Sequence, residues 1–263
     1  MTGLPILTYH ALDDSGRVTA TQPSWFLATM AALHAEGFRC VRLSEWVEAG
    51  RPEVDRGFAL AFDDGLASIR LAAEGLARFG FTATAFLVTG RMGRACNWDL
   101  GAPPEQLLEW MDVRDLRSAG FEFGAHTVSH PWLGSCGTDR IVREIVSSRD
   151  EIEARLGGPC PLFAYPYGDA PRVARDVVSG QFSAGFTTRL GFASGRGDAS
   201  MLARVDAFYL RSPRRLHALI SGRWGLELRA LRAARVVRGG IAIAGTALRR
   251  YSRPAASVAA GGA

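Results

Sequence analysis

The chain predicts an α/β fold of parallel strands closed into a barrel or a distorted barrel, and three observations carry that expectation. Short apolar runs rich in β-branched and aromatic residues alternate strictly with helical patterns, which implies parallel strands joined by crossover helices. About seven such units fit into roughly 200 residues, a count that favours a closed barrel over an open sheet. Polar residues gather where the strand patterns end, at the rim where the loops of such a barrel carry function.

In chain order, strand pattern Pro5 to Tyr9 precedes a helix from Trp25 to Glu36, ended by Gly37. Strands follow at Phe38 to Arg42 and Phe58 to Phe62, then a helix from Ser68 to Phe79 and a strand at Thr84 to Val88. A loop with Trp98 and Pro103-Pro104 leads to helix Val113 to Ala119, strand Phe121 to Gly124 and a long helix, Arg140 to Leu156. Strand Leu162 to Tyr165, helix Arg172 to Ser179 and strands Ser183 to Thr187 and Leu202 to Val205 complete the series. The expected division is a barrel domain over 1–210 and a basic helical tail over 211–263.

All 31 basic residues are Arg. Without Lys, neither a P-loop nor a Schiff-base nucleophile is available. The formal charge of +5 is uneven: residues 207–263 hold eleven Arg against Glu227 alone, +10, while the preceding 206 residues hold 20 Arg against 25 acids, −5. The body is therefore mildly acidic; whatever the basic excess binds, it binds at the C-terminus, and no nucleic-acid partner is expected. Cys40, Cys96, Cys136 and Cys160 form no CxxC pair and read as free thiols. The N-terminus lacks the pattern of a secretory signal, and Ile241 to Leu248 is far short of the ~20 residues of a spanning helix. A cytoplasmic protein is expected.

Three strand ends concentrate chemistry. Phe58 to Phe62 runs into Asp63-Asp64-Gly65, Phe121 to Ala125 into His126-Thr-Val-Ser-His130, and Leu162 to Tyr165 into Pro166-Tyr167-Gly168-Asp169. Two His four apart on a helical turn share one face and can share one ion. A carboxylate from Asp63-Asp64 completes a two-His, one-carboxylate set with positions open for water and substrate, the mark of a catalytic rather than a structural site. Zinc is the expected divalent ion, with cobalt, nickel and manganese as alternatives. Taken alone, Asp63-Asp64-Gly65 also suits a turn and helix cap.

These residues resemble the polysaccharide deacetylases of the NodB-homology type, carbohydrate esterase family 4. The family's Thr-Phe-Asp-Asp-Gly motif appears as Ala61 to Gly65, and its His-Ser/Thr-x-x-His motif as His126 to His130. The resemblance spans about residues 4–206 and implies a distorted (β/α)7 barrel that removes an N-acetyl group from an amino sugar. It also implies Asp64, His126 and His130 as metal ligands, Asp63 as base, and an oxyanion-binding backbone amide near Tyr167 in a turn fixed by Pro166. A free, nucleotide-linked or lipid-linked N-acetyl sugar is the implied substrate, and polysaccharide biosynthesis the implied setting.

Two departures qualify the resemblance. The usual Leu-x-His donor motif has no clear counterpart, since His217 falls in a helical pattern. Tyr9-His10 instead matches the circularly permuted branch that includes the poly-N-acetylglucosamine deacetylases, which implies His10 as general acid. Ala164 stands where the third motif usually has Arg. Arg204 is the candidate to orient Asp63 in its place, against the alternative of a salt bridge on the barrel rim. Other readings are a non-catalytic carbohydrate-binding barrel, favoured by the missing Arg, or a metal-dependent hydrolase of another amide or ester.

Aromatic faces stack on sugar rings. Trp98 is the first choice for such a platform, or else it anchors its long loop; Trp132, after Pro131, is expected mainly as an anchor. From Trp224 to Arg238, apolar residues interleave with Arg229, Arg232, Arg235 and Arg238, the pattern of a basic amphipathic helix on a membrane surface or acidic partner. The competing expectation is a helix packed on the barrel, followed by a disordered end over 254–263.

Overall fold

The computed structural model describes residues 3–96, 98, 105–225, 227, 228, 230 and 231. Seven parallel strands close a ring: β1 (Ile6–Tyr9), β5 (Gly57–Phe62), β6 (Thr84–Leu87), β7 (Glu122–Ala125), β8 (Leu162–Ala164), β9 (Ala184–Leu190) and β10 (Leu202–Asp206). Each pairs with the next, and β1 closes the ring by pairing with both β5 and β10. The expected (β/α)7 barrel is therefore present.

Its distortion has two visible sources. The short β4 (Arg39–Cys40) takes the early edge of β5 at Gly57 and Phe58, while β6 takes the later edge at Ala61 and Phe62. A register shift between β10 and β9 falls between Leu202 and Arg204, and such a bulge re-aims the side chains beside it. A two-stranded ladder, β2 (Ala11–Leu12) with β3 (Ala20–Thr21), lies beyond the ring.

Alternation along the strands separates two apolar layers. Ile6, Ala59, Ala61, Phe86, Ala164, Phe186 and Leu202 share one cluster, the barrel lumen, where Phe86 and Phe186 pack at 5.5 Å. Leu7, Leu60, Phe62, Leu87 and Phe163 face outward in a second cluster with the helices. That outer layer comprises α1 (Pro23–Ala35), α3 (Arg70–Arg78), α4 (Trp110–Ser118), α5 (Thr138–Leu156) and α6 (Arg172–Gln181); the short α2 (Leu43–Glu48) sends Leu43 and Trp46 to the lumen cluster. On α5, Ile141, Glu144, Ile145, Ser148 and Ile152 form the buried stripe, and Gly157 ends the helix at φ 67°, the left-handed cap that glycine favours.

The outer core continues past residue 210. Leu219 of α7 (Pro213–Ile220), Trp224 and Leu228 belong to it, and Trp224 is 0% exposed. The expected presentation of Trp224 to a membrane is thereby corrected: the indole is core, because the chain packs back on the barrel before the Arg-rich run begins. Residues 232–263 lie outside the described residues.

Candidate metal centre and its surroundings

The parity that fills the lumen also builds the site. Asp63 follows Ala59 and Ala61 on the inward face of β5, Arg204 follows Leu202 on β10, and His10 follows Ile6 on β1. Three side chains from separate strands thus meet at the C-terminal mouth of the barrel. Arg204, 2% exposed, binds Asp63 in a fork, Nη1 to Oδ1 and Nη2 to Oδ2, both at 2.7 Å. Its Nε donates to the Thr187 carbonyl at 3.1 Å, and its guanidinium lies 5.8 Å from the Phe86 ring. The ion pair is buried inside the mouth, not on the rim. His10 Nε2 lies 4.0 Å from Asp63 Oδ2.

Next to this pair, Asp64, His126 and His130 turn one donor atom each toward a common point, all within 4.8 Å of one another. His126 Nε2 and His130 Nε2 stand 3.4 and 3.2 Å from Asp64 Oδ1. The His126 Nδ1–H donates to the Ala164 carbonyl at 2.7 Å, which fixes the ring and leaves Nε2 as the free lone pair. One carboxylate oxygen and two imidazole nitrogens, buried and convergent, fit a divalent ion of zinc type.

Burial raises the Asp63 carboxyl, but the Arg204 charge and hydrogen bonds, together with His126 and His10 nearby, outweigh it and hold the group below the ordinary carboxylate range. Asp64 is likewise opposed by burial and is held well below that range by His126 and His130 beside it. Burial disfavours both imidazolium forms; Asp64, Asp63 and the Ala164 carbonyl together overcome this at His126, which is raised, whereas burial and the neighbouring His126 keep His130 lowered.

The two histidines do not share a helical turn, as their spacing suggested. Residues 126–130 form an irregular bend in which Thr127 (φ 69°) and His130 (φ 57°) are left-handed. Six hydrogen bonds hold it. The His130 amide donates to Thr127 Oγ1, the Thr89 and Gly90 amides donate to the Thr127 and Val128 carbonyls, and Glu144 accepts from Val128 N, Ser129 N and Ser129 Oγ at 3.0, 2.8 and 2.6 Å. Gly90 is required by this approach, since a Cβ there would sit 2.7 Å from the Val128 carbonyl oxygen. Glu144 went unnoticed in the sequence, although a carboxylate on the apolar stripe of α5 was a readable sign.

Of the six left-handed non-glycine residues described, four belong to this site: Asp64, Thr127, His130 and Tyr167. Each costs on the order of 1–3 kcal/mol and persists only where its surroundings impose it.

Pro166 is buried and starts the short turn Pro166–Gly168, in which Tyr167 takes φ 59°. The Tyr167 ring meets His130 edge-on at 4.6 Å. Ala164, where an Arg was missing, faces the lumen beneath this turn, and Arg204 on β10 is the guanidinium that reaches Asp63. Trp98 is half-buried: one face stacks on His130 at 4.5 Å, and the indole packs beside Leu66, Val88 and Leu107. The Trp132 expectation is corrected: the indole is not buried under its loop but is 54% exposed and stacks on Tyr167 at 4.9 Å. His34 and His217 are exposed and far from this cluster in the fold, on α1 and α7.

A closed parallel barrel whose mouth holds a buried Asp-His-His cluster beside a second, Arg-bound Asp defines the class of carbohydrate-deacetylase barrels. The polysaccharide deacetylase family profile matches residues 50–186, just over half of the sequence, and the chain belongs to that family. His10 and Arg204 lie outside the matched segment. Among solved structures, the chain is similar to IcaB from Ammonifex degensii (25% identity, TM-score 0.71, covering 84% of this chain and 97% of that one). It is also similar to the Streptococcus pyogenes deacetylase PplD, solved with acetate (23% identity, TM-score 0.68, 78% and 92%). A third likeness is to the deacetylase domain of BpsB from Bordetella bronchiseptica (18% identity, TM-score 0.62, 78% and 96%). Comparison with curated protein sequences found no significant match.

Proposed function

We propose that this protein is a metal-dependent N-deacetylase that hydrolyses the N-acetyl group of an amino sugar in a glycan or glycan precursor during polysaccharide biosynthesis. The observation that carries this reading is the convergence of Asp64, His126 and His130 beside the Arg204-bound Asp63. Asp64, His126 and His130 would hold the divalent ion, zinc by the chemistry of the donors, which when bound supplies Lewis acidity toward water and the acetyl carbonyl.

The chain's own groups supply the proton transfers. Asp63, kept ionised and fixed at both oxygens by Arg204, takes the proton of the attacking water. The developing oxyanion needs a preorganised donor, and the backbone amide of Tyr167, held by Pro166 in its left-handed turn, has that role. As the C–N bond breaks, the amine cannot leave as an anion. His10, beside Asp63 at the same mouth, delivers a proton to that nitrogen, yielding acetate and a free amine.

The test is acetate release from free, nucleotide-linked and lipid-linked N-acetyl sugars, before chelation, after it, and after metal is returned. Release that stops on chelation and returns with zinc is the expected result. Release indifferent to chelation overturns the metal role, and no release from any substrate overturns the enzyme.

No helix among the described residues is long and apolar enough to cross a membrane. We read the protein as cytoplasmic, with α7 and Trp224 packed on the barrel of 1–210 and the Arg-rich residues beyond 231 tethering it to an anionic membrane surface. Residues 232–263 carry six Arg and no acid, which supports that reading. Equal flotation with anionic vesicles by the full chain and a chain ending at 231 would refute it.

A further inference from the structure

We propose that the Trp132–Tyr167 pair is a sugar-stacking subsite that binds a glycan ring neighbouring the one being deacetylated, so that the enzyme favours oligomers over single sugars. This rests on the deacetylase reading and adds the direction in which a longer substrate runs. Trp132 and Tyr167 are 54% and 42% exposed and stack at 4.9 Å with 25° between their planes. Tyr167 in turn meets the metal-ligand candidate His130 edge-on at 4.6 Å. An aromatic surface therefore runs outward from the reacting centre, one ring at a time.

The pair is built, not merely exposed. Trp132 belongs to the loop after β7 and Tyr167 to the loop after β8, and the Gly134 amide ties the two by donating to Asp169 Oδ2. The Trp132 carbonyl accepts from Ser135 N and Oγ at 3.0 and 2.7 Å, which fixes the backbone under the indole. On the Tyr167 side, Gly168 sits at φ 71°, where a Cβ would meet the Thr188 amide at 2.7 Å. A protein gains no stability from holding a large indole half in water; a rigid aromatic face with polar groups at its border matches the apolar C–H face and hydroxyl rim of a pyranose. Trp98 does not offer the same surface: His130 stacks on one of its faces and the indole packs beside Leu66, Val88 and Leu107, whereas Trp132, covered by Tyr167 on one face, keeps its outer face in water.

The test compares wild type, Trp132→Ala and Trp132→Phe on N-acetylglucosamine and on its β-1,4- and β-1,6-linked tetramers. Acetate release gives kcat and KM, and tetramer binding is followed by intrinsic fluorescence. The ratio of tetramer to monomer kcat/KM is expected to fall about 10-fold in Trp132→Ala, through KM, and to recover in Trp132→Phe. An unchanged ratio for both linkages overturns the subsite. If wild type releases no acetate, the deacetylase reading fails by itself, and equal tetramer binding by wild type and Trp132→Ala then decides against the subsite separately.

Discussion

Arg204 and Asp63 are separated by 141 residues in sequence and meet through two hydrogen bonds of 2.7 Å, both side chains buried at the barrel mouth. Removing one partner of such a pair strands the other charge. Arg204→Ala is expected to lower unfolding stability by about 3–5 kcal/mol and kcat by roughly 100-fold. Arg204→Lys should not restore activity, because an ammonium cannot reproduce the fork. Urea unfolding and saturating acetate-release assays check both, and a kcat equal to wild type would end the positioning role.

His10 can be separated from the rest of the machinery by the leaving group. On an N-acetyl sugar, His10→Ala should lose roughly 100-fold or more in kcat, because the amine must be protonated as it departs. An aryl acetate, whose phenolate leaves unaided, should be hydrolysed with little loss. Equal losses on both substrates would show that His10 acts otherwise.

Glu144 touches no proposed ligand, yet it accepts three hydrogen bonds from the segment between His126 and His130. Glu144→Ala leaves those donors without their acceptor and should cost about 1–3 kcal/mol in stability. Zinc affinity, read by calorimetry, should fall about 10–100-fold, with much of the activity returning at high zinc. Unaltered affinity would reduce Glu144 to a packing residue.

Burial pushes the thiols of Cys40 and Cys160 up to about 12. Unfolded thiols titrate near ~8.5, so above that pH the unfolded chain releases protons that the native chain keeps. Their contribution to stability is complete below ~8.5 and is lost as pH rises toward 12. The urea midpoint should therefore fall between pH 8.5 and 10.5, and fall less in a Cys40→Ala, Cys160→Ala variant. Parallel curves would contradict the assignment.

Trp224 offers a check on the chain's return to the barrel. Trp224→Ala should destabilise the protein by about 3–5 kcal/mol, as expected for a fully buried indole. A cost near zero would place the segment on the surface after all.

The strands were legible because each is a short apolar run ending in polar residues, and the donor set because Asp63-Asp64 and His126/His130 are local patterns. What escaped has physical reasons. The six residues of α2 and the two-residue β2 and β3 are too short to show a period. The i, i+4 spacing of the histidines suggested a helical turn, whereas the backbone reverses through two left-handed residues that no propensity favours. Arg204 was a candidate among alternatives, because a contact across 141 residues is decided by ring closure and a bulge. The roles of Trp98 and Trp132 turned on which indole the neighbouring loops cover, and loop packing leaves no trace in a single sequence.

Ring closure also sets an order of events. His10, Asp63, Asp64, His126 and His130 all leave the ribosome before Arg204, and β10 is the strand that joins β9 to β1. Until that strand docks, Asp63 lacks its guanidinium and the barrel lacks its last wall. A nascent or partly opened chain therefore carries every proposed ligand and both proposed proton-transfer groups while Asp63, the proposed base, remains unoriented. Hydrolytic competence should appear with the final strand, which makes activity a reporter of completed folding.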